Sequence, residues 1–366
     1  MGRSTRTPST AGRKGSRHVT AGLLGLVALM ASACTAGALP TTAPSVAATS
    51  TGSASAPSAP SAPPTQSTTP EPSPTAAAAF PVTITDDEGT EVELGLEPER
   101  VISLSPANTE ILFTIGAGDK VVGGTAFDDF PPQAAALPDV ATYTGVLIEQ
   151  VVDLEPDLVI AAGNGFTPPA DIDRMRQLGL EVMVVYAEDV DEVLADIELI
   201  GTAVGASDEA RAVTDSMRGR LADVTAAVDG LPERPRVFYQ LGSEPEIFGP
   251  APDSFVADMV ELAGGAPITT GDPAVFSISV EKLVSDDPEV IIVGDAAYGV
   301  CPGDVKSRPG WRRMTAVRDD AVRPIDDLIV TRPGPRLAEG LAALAVAIHP
   351  DLQLDPAPAP VTLCGP

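Results

Sequence analysis

SDEARAVTDSMRGRLADVTAAVDGL, residues 207–231, decides how this chain is read. Its apolar residues Ala210, Val213, Met217, Leu221, Val224 and Val228 recur at helical spacing and form one stripe. Ser207 is placed to cap the start, with Asp208 and Glu209 near the positive end of the helix dipole. Gly230 and Pro232 end it, and only Gly219 weakens it, by about 1 kcal/mol relative to Ala. At the α-helical rise, roughly 24 residues reach about 36 Å, the width of a small domain. The pattern predicts one long helix in the middle of the folded chain.

The segments on either side of it resemble each other. IEQVVDLEPDLVI (148–160) and VEKLVSDDPEVII (280–292) align without a gap at a constant offset of 132. Each reads as a short helix, a proline break and a buried parallel strand. Chance similarity of common helix–Pro–strand text is the plainer alternative. The reading preferred is two related α/β lobes joined by a stiff helical strut.

The 366 residues, 44% hydrophobic, suffice for two such lobes plus tails. Net charge is −28, which argues against binding a phosphate backbone. Histidine occurs only at His18 and His349, so one chain cannot build a three-histidine metal site, and a histidine-based triad would have to use His349.

Residues 1–33 read as an export signal. Five basic residues and no acid precede or flank an apolar run from Ala21 to Ala31, too short to span a bilayer comfortably; removing the segment would take the net charge to −33. The run ends Ala31-Ser32-Ala33-Cys34, similar to a bacterial lipobox with Ala in place of the usual Leu. Cleavage there would leave Cys34 as a lipid-modified N-terminus; a plain signal peptide with an incidental Cys is the alternative. Residues 34–79 are rich in Pro, Ser, Thr and Ala, charged only at Glu71, and read as a disordered tether. The expected organisation is therefore 1–33 signal peptide, 34–79 lipidated Cys and tether, 80–206 N-terminal lobe, 207–231 interlobe helix, and 232–366 C-terminal lobe and tail.

From Phe80 the chain opens with a β-hairpin turning at Asp87-Glu88-Gly89, followed by a strand at 100–104 that Ser105-Pro106-Ala107-Asn108 breaks before a helix from Thr109. Strands and helices then alternate to Val204 and restart with a strand at 236–241, which is parallel α/β architecture.

VISLSPANTE (101–110), DFPPQ (129–133), the 154–160 segment and residues 237–265 resemble the iron-siderophore and vitamin B12 substrate-binding lipoproteins of ABC importers, and within them the cobalamin-binding branch most. The resemblance covers roughly residues 80–349. It implies two α/β lobes clasping a ligand and joined by one rigid helix, which agrees with the strut. It implies a protein that performs no chemistry, uses no cofactor of its own, and hands a ferric siderophore or a corrinoid to a permease dimer. It further implies a monomer on the extracytoplasmic face of the cell membrane. In this family one surface Glu on each lobe docks onto permease arginines, and the matching positions are Glu149 and Glu281. Two solvated glutamates at helix starts are the alternative.

The ligand is expected in the crevice at the carboxyl ends of the strands. Aromatic residues are only 4% of the chain, yet Phe127, Phe130, Tyr143, Phe166, Tyr186, Phe248, Phe276, Tyr298 and Trp311 fall on loops there. Such walls suit a flat ring system or a catecholate. Tyr143 stands where the B12-binding relatives carry Trp. The polar candidates are Ser105, Asn108, Asp128, Asn164, Gln240 and Asp295. Arg332 and Arg336 match a family segment near the ligand, where one could meet a carboxylate or phosphate while the other simply pairs with surface acids. Cys301 and Cys364 are expected to pair in an exported protein, tying the tail to the 298–303 loop; two free thiols are the alternative.

Enzyme motifs are missing: there is no Gly-x-Ser-x-Gly, no phosphate-cradling loop and no Cys-x-x-Cys, and Gly116-Ala117-Gly118 lacks its third glycine. A lipid-anchored sensor without an importer would use the same anchor and tether. It would not need the paired glutamates.

Overall fold

The computed structural model describes residues 80–364, so the signal segment, Cys34 and the tether lie outside the described residues. The described chain opens with a hairpin of β1 (Val82–Thr85) and β2 (Glu91–Leu94), whose Ile84, Val92 and Leu94 are buried. Next come β3 (Val101–Ser103), α1 (Pro106–Thr114), β4 (Val121–Thr125), β5 (Asp139–Thr142), β6 (Gly145–Val146) and α2 (Ile148–Asp153). The first lobe finishes with β7 (Leu158–Ala162), α3 (Pro169–Gln177), β8 (Val182–Val185) and α4 (Val190–Ala203). Its six-stranded sheet runs β6-β5-β4-β3-β7-β8, parallel throughout except for β5 against β6.

After α5 (Ser207–Asp229) the second lobe contributes β9 (Arg236–Gln240), α6 (Phe255–Leu262), β10 (Ala266–Pro267), α7 (Val280–Asp286) and β11 (Val290–Val293). Then follow α8 (Pro302–Ser307), α9 (Thr315–Arg318), β12 (Val322–Pro324), α10 (Asp327–Val330) and α11 (Leu337–Ile348). Its four-stranded sheet, β10-β9-β11-β12, is wholly parallel. Two parallel-sheet α/β lobes joined by one long helix is the architecture expected.

The strut is that helix, and its stripe is the buried one: Ala210, Met217, Val224 and Val228 are inside, with Val213 and Leu221 packed beside them. It lies against α4 of the first lobe and α11 of the second, so one apolar core runs through it from Ile84 to Ile348. The outer face of each sheet has its own core, around Val151 and Ile172 in one lobe and Trp311 and Met314 in the other.

Two local expectations are corrected. Ser207 is the first helical residue, not the cap; Ala206 holds that position without a side-chain hydrogen bond, because Gly205 (φ 77°) turns the chain tightly out of α4. Residues 105–108 do end the strand, but the helix that follows starts at Pro106, not Thr109. Ser105 accepts the Asn108 N–H at 3.2 Å, and Pro106 sits in the first turn where its missing N–H costs nothing.

The internal repeat is a repeat of structure. Glu149 and Glu281 are each the second residue of a short helix, and Val151 and Leu283 are each fully buried beneath it. Glu155 (φ 45°) and Asp287 (φ 46°) both leave that helix in the left-handed conformation, ahead of Pro156 and Pro288.

Candidate functional site

Parallel strands end with their carbonyl ends on one side of each sheet, and the loops that leave them form a cleft. Here β3, β7 and β8 deliver Ser105, Asn164 and Tyr186, and beyond β11 and β12 the chain delivers Tyr298 and Asp327. Together they line an interlobe cavity of about 410 Å³, lined also by Asn108, Phe166, Asp196, Thr331 and Arg332. An adjoining recess of about 400 Å³ shares Asn164 and adds Phe276 and Glu188. Gly163 is required at the floor, because a Cβ there would lie 1.9 Å from the Tyr186 ring. Phe166 and Tyr298 are 81% and 77% exposed on the cavity wall.

Of the expected site residues, Ser105, Asn108, Asn164, Phe166, Tyr186, Tyr298 and Arg332 meet at the main cavity and Phe276 at its neighbour. Ser105 is chiefly the cap of α1, and the Asn108 amide is turned to the Ala161 carbonyl at 3.4 Å. Phe127 and Tyr143 form a tilted pair, ring centroids 4.2 Å apart and planes at 60°, and Tyr143 is almost wholly exposed. Neither lines the cavity. Phe248 is half-buried and bridges to Gly242 and Ser277 through its backbone.

Three residues are corrected to structural roles. Trp311 is 1% exposed, in the second lobe's outer core with the Arg308 guanidinium 4.7 Å above its ring. Gln240 is fully buried, donating to Asp295 at 2.6 Å and accepting from Arg308 at 2.6 Å. Asp128 accepts from Thr109 and from the Thr125 amide and hydroxyl at 2.8–3.0 Å, which leaves it little to offer a ligand. Burial raises its pKa against those bonds.

Arg332, on the cavity wall, and Arg336 are both already engaged by acids. Both belong to the second lobe, and both reach across to Glu110 of α1, a side chain only 2% exposed. Arg336 clamps Glu110 through Nε at 2.8 Å and Nη2 at 2.6 Å, and lies 4.2 Å above the Phe130 ring. Arg332 pairs with Glu110 and with Asp129, the latter at 2.7 Å. Burial opposes the Arg332 charge, but the bonds to Asp129 and Glu110 outweigh it and raise its pKa. Two cations and two anions thus close a neutral cluster between the lobes.

Two acids on the cavity wall were not singled out from the sequence. Asp327 accepts from the Tyr239 hydroxyl at 2.7 Å and from Thr331, and burial raises its pKa. Asp196 stands on the apolar face of α4 among Val193, Ile197 and Ile200. Burial, followed by the neighbouring Asp87 charge, pushes its carboxyl up to about 8, so it is protonated at neutral pH and shares its proton with Asp87. An acid inside a helix's apolar stripe was the available signal.

A model of the periplasmic binding protein family matches residues 101–327. The chain belongs to that family. It is 34% identical over 276 residues to the Bacillus subtilis protein named as an uncharacterized ABC transporter substrate-binding lipoprotein YvrC, covering 74% of this chain and 87% of that one. It is 32% identical to a cobalamin-binding protein of Halobacterium salinarum over 75% of each chain. Among solved structures, the periplasmic vitamin B12 binding protein BtuF of Vibrio cholerae superposes with a TM-score of 0.60 at 28% identity, over 69% of this chain and 96% of that one.

Elsewhere, Cys301 and Cys364 are joined with Cα atoms 5.7 Å apart, closing the tail onto the 298–303 loop. Glu149 and Glu281 are exposed. Among the described residues no three His, Cys, Asp or Glu side chains gather as a metal site, and no helix is long and apolar enough to cross a membrane.

Proposed function

We propose that this chain is the extracytoplasmic, lipid-anchored substrate-binding component of an ABC importer, and that its cargo is a corrinoid. The cargo's metal would arrive already chelated and is substrate, not a resident cofactor. The observation that carries the choice of cargo is the charge of the cavity. Arg332 is the one cation lining it among the described residues, and its charge is already met by Glu110 and Asp129. Asp196 and Asp327 supply the carboxyl groups on the wall.

Haem, with two propionates, and ferric tricatecholates, with net negative charge, would find no unpaired cation there. A neutral cobalamin or a cationic cobinamide meets aromatic faces at Tyr186, Phe166 and Tyr298 and hydrogen-bonding groups at Asn164 and Thr331. The cobalamin-binding relatives support the same choice. Cys34 would carry the lipid, residues 34–79 the tether, and Glu149 with Glu281 the docking charges for a two-fold permease dimer met by one monomer.

A melting screen of the protein against cyanocobalamin, cobinamide, haem and ferric siderophores tests this. A ligand at 100 times its Kd adds about 2.7 kcal/mol of stability. The expected result is a shift with the two corrinoids and none with haem or the ferric catecholates. A shift confined to the anionic chelates would refute the charge argument.

A further inference from the structure

We propose that Arg100 and Arg236 are positioning residues that aim the two docking carboxylates, Glu149 and Glu281; this rests on the docking role given to those glutamates above. Each arginine stands at the entry to the first strand, in chain order, of its lobe's parallel sheet, β3 or β9, and reaches the carbonyl end of the short helix that bears the glutamate. Arg100 donates from Nε to the Leu154 and Glu155 carbonyls at 3.0 and 3.1 Å, and from Nη2 to Leu154 at 2.6 Å. Arg236 donates from Nε to the Asp286 and Asp287 carbonyls at 3.2 and 3.0 Å, and from Nη2 to Asp287 at 2.8 Å.

The same acid position completes each brace. Asp157 accepts the Arg100 N–H at 2.9 Å, and Glu289 accepts the Arg236 N–H at 2.9 Å. In return the backbone N–H groups of Asp157 and Glu289 donate to the Arg100 and Arg236 carbonyls. The arrangement recurs although the arginines are 136 residues apart and the helices 132, so it is kept through a change in spacing.

These helices have six and seven residues, too short to hold their own direction. Inside each, one fully buried side chain, Val151 or Leu283, fixes it to the sheet. The guanidinium at the far end satisfies carbonyls that the helix leaves open and favours the negative end of its dipole. From Leu154 back to Glu149 the lever is about 7.5 Å, so a tilt of about 10° displaces the carboxylate by about 1.3 Å. A docking constellation tolerates roughly 0.5 Å.

The test uses the full-length protein in cells lacking their own copy. Initial uptake of labelled cyanocobalamin, association of the ligand-free protein with the solubilised importer, cyanocobalamin Kd and melting temperature are measured in R100M+R236M. Uptake and importer association should each fall by about tenfold, with Kd within about twofold of the parent, since neither arginine lines the cavity. R100K+R236K, which keeps the charge but one donor nitrogen in place of two at each brace, should lie between. Uptake and association both within twofold of the parent would overturn the proposal, as would losses that merely follow a loss of affinity or of folded protein. Undiminished association in E149K+E281K would remove the docking role itself, and with it anything for the arginines to aim. The importer measurement needs no ligand, so it stands whatever the melting screen finds about cargo.

Discussion

Replacing Glu110 by Gln keeps its shape and removes its charge from the cluster between the lobes. Glu110 is 2% exposed at its side chain, while Arg332 and Arg336 are 12% and 25% exposed, so water screens the trio poorly. Breaking a buried pair by neutralising one partner costs about 3–5 kcal/mol, because the other charge stays buried. Here the remaining contacts soften that cost. Arg332 keeps Asp129, which is 48% exposed and worth no more than about 1 kcal/mol. Arg336 keeps the Phe130 face, worth about 0.5–1 kcal/mol. The expected loss is therefore about 3 kcal/mol, seen in urea unfolding of the full chain, while D129N should change stability by less than about 1 kcal/mol. The double variant E110Q+R336M should recover part of the loss, since it removes the stranded cation along with its partner. A loss below about 1 kcal/mol for E110Q would refute the view that this cluster holds the lobes together.

Asp196 should make stability fall as pH rises. Its folded pKa is near 8 and its unfolded value near that of ordinary Asp, so between about pH 4 and 8 the native state holds a proton that the unfolded state has released. The slope is then negative, at most about 1.4 kcal/mol per pH unit, and flattens above pH 8. Unfolding measured from pH 5 to 7.5 should show it, and D196N should flatten it; an unchanged slope in D196N would place the effect elsewhere. Gly219 is an exposed interior position of α5, where an added Cβ meets nothing within 4 Å. G219A should therefore stabilise the protein by about 0.4–1 kcal/mol, a rise in Tm of roughly 1–3 °C, and a fall would mean that the strut is bent there.

Much of the architecture was legible because it is written in local period. The stripe from Ala210 to Val228 is set by a 3.6-residue repeat, and that repeat alone determines which face of α5 must be buried. The paired segments at 148–160 and 280–292 were legible for a similar reason: helix, proline and strand are each encoded within a few residues. The start of α1 was less so, since Ser-Pro reads equally as a break or as a cap followed by a first-turn proline.

The site divides along the same line. Short-range sequence determined that loops after the strands would meet and that aromatic residues would stand on them, and Phe166, Tyr298 and Asn164 do line the cavity. Which polar side chains remain available to a ligand was decided only by tertiary structure. Gln240 lies beside Asp295 and Arg308 because β9 and β11 are neighbours in one sheet, and Asp128 is enclosed by threonines from two elements. Arg332 and Arg336 meet Glu110 across more than 200 residues of chain, so no window of sequence contains both charges. Amphipathic period follows from the geometry of one helix or strand. The pairing of charges follows from which surfaces those elements bring together, and here that pairing sets the charge a ligand will meet.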